Sequence, residues 1–223
     1  MRITWCGNSY FIIENNGIKI AVDPHDGGSL NLVKCKVSAD YIIVTHNHYD
    51  HNAIKIVMGN QTKNIIKNPV NKTYSLNGME LNFFQFNHDN FDGNLFGKVY
   101  AFKFKINDLV LANLSDIGEK FNENKMRDFI NVDILMIPVG GVTTIDYLEA
   151  QKYIDYLKPK MVIPMHYWIY GSTLPYDSID NFLKISKYEI IHINENFIDI
   201  NELNFKDKTK IIVFNSKLLS LEK

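Results

Sequence analysis

The sequence predicts an α/β domain. Short β-branched runs bounded by turn residues recur from the first residues to Phe214, a smaller number of stretches carry apolar residues at helical spacing, and several runs stop abruptly at a polar cluster. Strand-like and helix-like segments alternate through the second half of the chain, as expected when helices cover a sheet.

Residues 2–6 form a first strand-like run, and 10–13 a second. Asn15-Asn16-Gly17 is a hairpin turn leading into 18–22, and Pro24 ends that strand because it has no N–H for the ladder. Asp26-Gly27-Gly28-Ser29 reads as a loop. The apolar run 41–44 reads as a buried strand, and 52–58 as a helix with an apolar side. Strands are expected over 64–67, 73–76 and 79–86, with Asn77-Gly78 as a tight turn. Residues 99–106 alternate apolar and polar, Asn107-Asp108 turns the chain, and 109–114 returns. A weak helix over 124–130, a buried strand over 133–139 and a stronger helix over 145–157 stopped by Pro159 come next. A strand over 161–164, a helix over 178–186 and strands over 189–193 and 210–214 complete the chain. No linker, low-complexity block or repeat interrupts it, so residues 1–223 are expected to form one domain.

Bulk properties narrow the function. Hydrophobic residues make up 46% and the net charge is -1, with basic residues scattered. A globular protein is expected, with no nucleic-acid or anionic-membrane partner. The apolar runs are too short to span a bilayer. Cys6 and Cys35 match no ligand spacing and no disulfide framework, and the chain does not open on a charged segment followed by an apolar one, so a cytoplasmic location is expected.

The chemistry is concentrated at Thr45-His46-Asn47-His48-Tyr49-Asp50-His51, directly after the strand 41–44. Residues two apart in extended chain point the same way, so His46, His48 and Asp50 line one side of the turn, with His51 swung round behind them. Imidazole and carboxylate suit zinc, manganese or iron, and four such groups gathered at a strand end call for a cation. Asp23, His88, Asp116 and His166 also follow strand ends. If the strands share a direction, these groups gather at one edge.

These residues resemble the metallo-β-lactamase-fold hydrolases. His46-Asn47-His48-Tyr49-Asp50-His51 matches the H-x-H-x-D-H signature, and His88, Asp116 and His166 match the later family positions in order, over residues 2–168. The opening Ile3-Thr4-Trp5-Cys6-Gly7-Asn8-Ser9, the Val22-Asp23-Pro24 strand end and the segment Pro138-Val139-Gly140-Gly141 are similar to the branch that includes ascorbate-6-phosphate lactonase, with Asn8 where that branch often has His.

The resemblance implies a four-layer αββα sandwich with a dinuclear site at one edge. By it, His46, His48 and His88 hold one divalent cation, Asp50, His51 and His166 the other, and Asp116 bridges them. Zinc is the first expectation, with manganese or iron as alternatives. Asp50 and Asp116 are the carboxylates assigned to catalysis. Two such cations sharing a water lower its pKa to about 7 and supply hydroxide at neutral pH. The expected reaction is hydrolysis of a small ester, lactone or phosphoester, with an anionic substrate and a homo-oligomer both left open. A phosphodiesterase or nuclease on the same fold is the alternative. A di-iron redox protein and a non-catalytic metal-binding module rank below it.

Other residues keep two readings. Asp23 orients a ligand imidazole or forms an Asx turn. His25 lines the pocket or sits on a surface loop. Tyr167, Trp168 and Tyr170 wall the pocket or pack the core. Gly140-Gly141 offers backbone N–H groups to an anion or makes a tight turn. His192, inside an apolar strand, is structural.

Overall fold

The structure, a computed structural model, describes residues 1–200 and 208–221. The chain opens with β1 (Arg2–Trp5), β2 (Phe11–Asn15) and β3 (Ile18–Val22). Asn16 and Gly17 between β2 and β3 take φ of 50° and 78°, the two positive values a two-residue hairpin turn requires. After β4 (Tyr41–Val44), α1 (Ile54–Val57) and β5 (Asn64–Lys67), a second turn of this kind, at Asn77 and Gly78, joins β6 (Thr73–Leu76) to β7 (Met79–Asn87). Next come β8 (Lys98–Ile106), β9 (Leu109–Asn113), α2 (Glu123–Met126), β10 (Ile134–Pro138), α3 (Tyr147–Leu157), β11 (Met161–Met165), α4 (Asp180–Ile185), β12 (Glu189–Ile193), β13 (Phe197–Asp199) and β14 (Lys210–Phe214).

Most elements lie within one or two residues of their expected bounds, and the differences have physical causes. α3 begins at Tyr147 because the Asp146 carboxylate caps it, accepting from Glu149 N at 2.8 Å, while Ile145 N is held by Ile117 O. The weak helix over 124–130 splits into α2 and a 3-10 turn at Arg127–Phe129. The three-residue β13 was not expected. It is too short to show a period and exists because it pairs with β1, where Arg2 also meets Asp199 at 2.6 Å.

Two sheets form among the described residues. One has the order β13-β1-β2-β3-β4-β5, the other β12-β14-β11-β10-β9-β8-β7-β6. The alternation along each strand explains how they stack. Phe11 and Ile13, Ile20 and Val22, and Tyr41 and Ile43 face the second sheet in one large core. Ile12, Ala21, Ile42 and Val44 face outward onto Val57, Ile54 and Ile56 of the α1 region. α3 covers the other sheet against β10, through buried Ala150, Tyr153, Ile154 and Leu157. The result is the expected αββα sandwich. No helix of the described residues is long and apolar enough to cross a membrane.

Strand direction places the site. β3 and β4 are parallel, as are β9, β10 and β11, while β7 and β9 are both antiparallel to β8 and therefore run the same way. The loops after β7, β9, β10 and β11 leave one edge of the second sheet, and those after β3 and β4 leave the first sheet beside them. Ligand sites of α/β sheets collect at such carboxyl ends.

One expectation fails here. Cys6 and Cys35 form a disulfide, with their Cα atoms 6.0 Å apart and a sequence separation of 29. Two cysteines 29 apart show no spacing pattern; the loop after β3 carries Cys35 back onto the outer face of β1, a tertiary event. This removes one ground for a cytoplasmic location. A cross-link closing a loop of this length contributes about 3 kcal/mol by restricting the unfolded chain. Reduction is therefore expected to lower the thermal midpoint by about 6–12 °C for a chain of this size. Scanning calorimetry with and without a phosphine reductant measures this, and Cys35→Ser should abolish the reductant's effect.

Candidate metal centre

Asp23 stands at the end of β3 with φ 48°, wholly buried. Its carboxylate accepts from both the N–H and the hydroxyl of Thr45, each at 2.7 Å, tying the ends of β3 and β4 together. Thr45 has then used its only proton. Its oxygen must accept from Ser115 Oγ at 2.7 Å and from His46 Nδ1 at 3.1 Å. The proton of His46 is thereby fixed on Nδ1, leaving a lone pair on Nε2.

The same logic fixes His88. Its Nδ1 lies 3.0 Å from the carbonyl oxygen of Thr143, which can only accept, so its Nε2 also carries a lone pair. His166 follows β11 with φ 53°, an uncommon value for a side-chain-bearing residue. Its backbone N–H is held by Asn8 O at 3.2 Å, and its Nδ1 stands 3.4 Å from Thr144 Oγ1. The close path of Gly140 past this turn is obligatory, since a Cβ there would lie 2.1 Å from His166 O.

The donor atoms converge in two trios. Those of His46, His48 and His88 lie within 4.8 Å of one another, as do those of Asp50, His51 and His166. Asp116 stands between the trios. Its Oδ2 lies 3.0 Å from Nε2 of both His51 and His166, 3.8 Å from that of His88 and 3.9 Å from that of His46. Its Oδ1 is held by the Ser9 hydroxyl at 2.7 Å. Asp50 Oδ2 accepts from Asn8 Nδ2 at 3.0 Å. All seven residues expected from the sequence stand at this edge, and all but half-buried His48 are buried.

The arrangement fits a cation. Nε2 of His46, His51 and His166 is buried without a hydrogen-bond partner. His51 turns Nδ1 to Asp23 Oδ2 at 3.5 Å and Nε2 to Asp116 and Asp50 at 3.0 and 3.3 Å. A neutral ring protonated at Nδ1 would aim a lone pair at two carboxylates, which is repulsive unless positive charge lies between them. Burial opposes a charge on the His51 imidazole, but Asp116 and Asp50 hold it well above its usual range. Burial and neighbouring charges hold His46 well below the histidine range, and burial brings His88 down to about 4. These neutral rings suit metal ligation at neutral pH. The Asp116 carboxyl is held well below the carboxylate range because His166 and His51 outweigh its burial.

Several residues resolve differently from their sequence readings. His25 neither lines a pocket nor lies on the surface. It is buried, with Nε2 on Cys6 O at 3.0 Å and Nδ1 accepting from Gly27 N at 3.0 Å. Tyr167 is core, whereas Trp168 and Tyr170 are exposed. Gly140-Gly141 is a tight turn, with Gly141 N on Ile145 O at 3.2 Å. His192 is exposed on β12. Sequence reading gave no role to Ser9, Thr143, Thr144 or Tyr176. Ser9 adjoins Asn8 in the opening stretch and the threonines follow the Gly pair, but only folding shows whom they touch.

His25 gives a pH prediction. Burial lowers its pKa to about 4 from about 6.5, so in that window the unfolded chain binds a proton that the folded chain refuses. Stability is unaffected above about pH 6.5 and falls as pH drops, by about 2 kcal/mol at pH 5 from this residue. Urea unfolding at pH 7 and pH 5 should show a smaller loss in His25→Gln than in the parent chain.

Comparison with known proteins adds the following. A family model described as a β-lactamase superfamily domain matches residues 2–166. A UPF0173 metal-dependent hydrolase of Nanoarchaeum equitans is 30% identical over 209 residues, covering 79% of this chain and 89% of its own. One from Carboxydothermus hydrogenoformans is 28% identical over 191 residues, covering 75% and 84%. A crystal structure from Thermotoga maritima, described as a candidate zinc-dependent hydrolase of the metallo-β-lactamase superfamily, superposes with TM-score 0.73 at 27% identity, covering 96% of this chain and 99% of that one. A metallo hydrolase of Ignicoccus hospitalis shares the fold, with TM-score 0.59 at 22% identity over 75% of this chain and 82% of that one.

Proposed function

The chain belongs to the β-lactamase superfamily and, within it, to the UPF0173 metal-dependent hydrolases, and from that premise we propose that it hydrolyses a small, uncharged ester or lactone at a pair of divalent cations. The observation that carries this is Asp116 Oδ2, set between two trios of donor atoms and within 4 Å of four imidazole nitrogens. In this reading His46, His48 and His88 hold one ion, Asp50, His51 and His166 the other, and Asp116 touches both. Zinc is the first candidate for both positions. Bound there, the pair supplies a water of lowered pKa and polarises the scissile carbonyl. The chain's own residues hold the arrangement: Thr45 and Thr143 fix the protons of His46 and His88, Asp23 turns His51, and Ser9 and Asn8 hold the two carboxylates.

The preference for an uncharged substrate rests on the loops that carry these groups. Residues 7–10, 23–33, 45–53, 88–97, 115–118, 140–146 and 166–177 contain no Lys or Arg. They expose Tyr49, Phe91, Leu95, Val142 and Tyr170 instead. A phosphodiester backbone is normally met by cationic side chains, and none is supplied here. Within the superfamily we place the chain beside the ascorbate-6-phosphate lactonase branch on its opening stretch, with Asn8 as its departure.

The test is elemental analysis of the purified protein, followed by assays of the metal-loaded form on neutral esters and lactones, bis-p-nitrophenyl phosphate and RNA. Hydrolysis of the neutral panel that is lost on chelation and in His46→Ala is expected. A protein that retains no transition metal, or that cleaves only the phosphodiesters, would overturn this reading.

A further inference from the structure

Resting on that reading, we propose that Tyr176 supplies the substrate-facing hydrogen-bond donor of the site, its phenol O–H meeting the carbonyl oxygen of the ester as negative charge develops there. Tyr176 lies in the irregular segment between β11 and α4, outside every motif of the sequence. Its ring stacks on the His166 imidazole, with centroids 3.9 Å apart and planes 28° apart. Its hydroxyl is an electrostatic neighbour of the Thr143 side chain, and the Thr143 carbonyl holds His88. The ring is thus anchored on a member of one trio, and its hydroxyl lies in the neighbourhood of Thr143, the residue that orients a member of the other. The phenol spans both halves of the site, close enough to feel the charges of Asp116 and Asp50.

The placement is rigid on one side and open on the other. Asp177 N–H donates to Gly140 O at 2.9 Å, and Trp168 N–H donates to Asp177 O at 2.9 Å, pinning the segment across the turn that carries Thr143 and Thr144. The Tyr176 side chain itself is only half-buried. A phenol beside the Thr143 side chain can accept from it and keep its own proton for onward donation. No Lys or Arg stands in the surrounding loops, so among their side chains a hydroxyl is the natural candidate to meet a developing oxyanion. The proton stays on the tyrosine; the interaction is a hydrogen bond that strengthens as charge grows, and such donors typically contribute about 10²–10³ in rate.

Tyr176→Phe keeps the stacked ring and removes only the hydroxyl. With zinc supplied, the variant is expected to keep the parent's zinc content, chelator-competition affinity and thermal midpoint. It should lose about 10²-fold in kcat on the neutral ester panel, and at least about tenfold in affinity for inorganic phosphate, a tetrahedral anion, measured by calorimetry. Tyr176→Leu, which removes the stack as well, should also weaken zinc binding. The proposal is overturned if Tyr176→Phe stays within about threefold of the parent in both kcat and phosphate affinity, or if it loses zinc, since the tyrosine would then act only by positioning His166. A parent protein that loads zinc and binds phosphate through Tyr176 but cleaves no ester or lactone would sink the substrate reading and leave this one standing; a parent that binds no zinc would sink both.

Discussion

Asp116→Asn is expected to remove hydrolysis almost completely, by at least about a thousandfold, corresponding to about 4 kcal/mol of transition-state stabilisation. The two side chains have nearly the same shape, so Ser9 can still donate to one oxygen as it does to Asp116 Oδ1 at 2.7 Å. The amide nitrogen then occupies the place of Oδ2, between Nε2 of His51 and His166 at 3.0 Å and those of His88 and His46 at 3.8 and 3.9 Å. It brings N–H donors to the point where four lone pairs would meet a cation, and it removes the negative charge that the two proposed ions would share. Elemental analysis should show fewer than two metal equivalents, with the fold intact by circular dichroism. A variant with full metal content and parent-like kcat/KM would mean that Asp116 is not the shared ligand.

Asp23→Ala is expected to cost about 3–5 kcal/mol of stability and about 10- to 100-fold in metal affinity. Its carboxylate is buried and satisfies two Thr45 donors at 2.7 Å while facing His51 Nδ1 at 3.5 Å. Alanine strands a buried N–H and hydroxyl, and it also releases the constraint that keeps the Thr45 hydroxyl accepting from His46. Asp23→Asn should be milder, because Asn tolerates the φ of 48° and keeps one acceptor. Denaturant unfolding and chelator competition separate the two effects. Equal metal affinity in the parent chain and Asp23→Ala would leave Asp23 with the turn-forming role alone.

Local chemistry made much of this molecule legible. Asn16-Gly17 and Asn77-Gly78 can form tight hairpins wherever they are placed, and alternation in residues 79–86 and 99–106 declares a strand with one buried face. The three-residue β13 was illegible because its existence depends on β1, nearly two hundred residues away. The Cys6–Cys35 link was illegible for the same reason: spacing says nothing about which loops fold back on which face.

By itself the sequence determined an α/β class, the strand ends and the cluster at His46–His51, because periodicity and turn chemistry act over a few residues and the H-x-H-x-D-H spacing is local; the αββα layering and the roles of His88, Asp116 and His166 came from the resemblance to a family. Only the tertiary structure decided which nitrogen of His46 and His88 bears the lone pair, that Asn8 and Ser9 hold the two carboxylates, that His25 is a buried strut, and that Tyr176 lies on His166. Those are contacts between segments far apart in the chain, set by which loops the parallel strands deliver to the same edge.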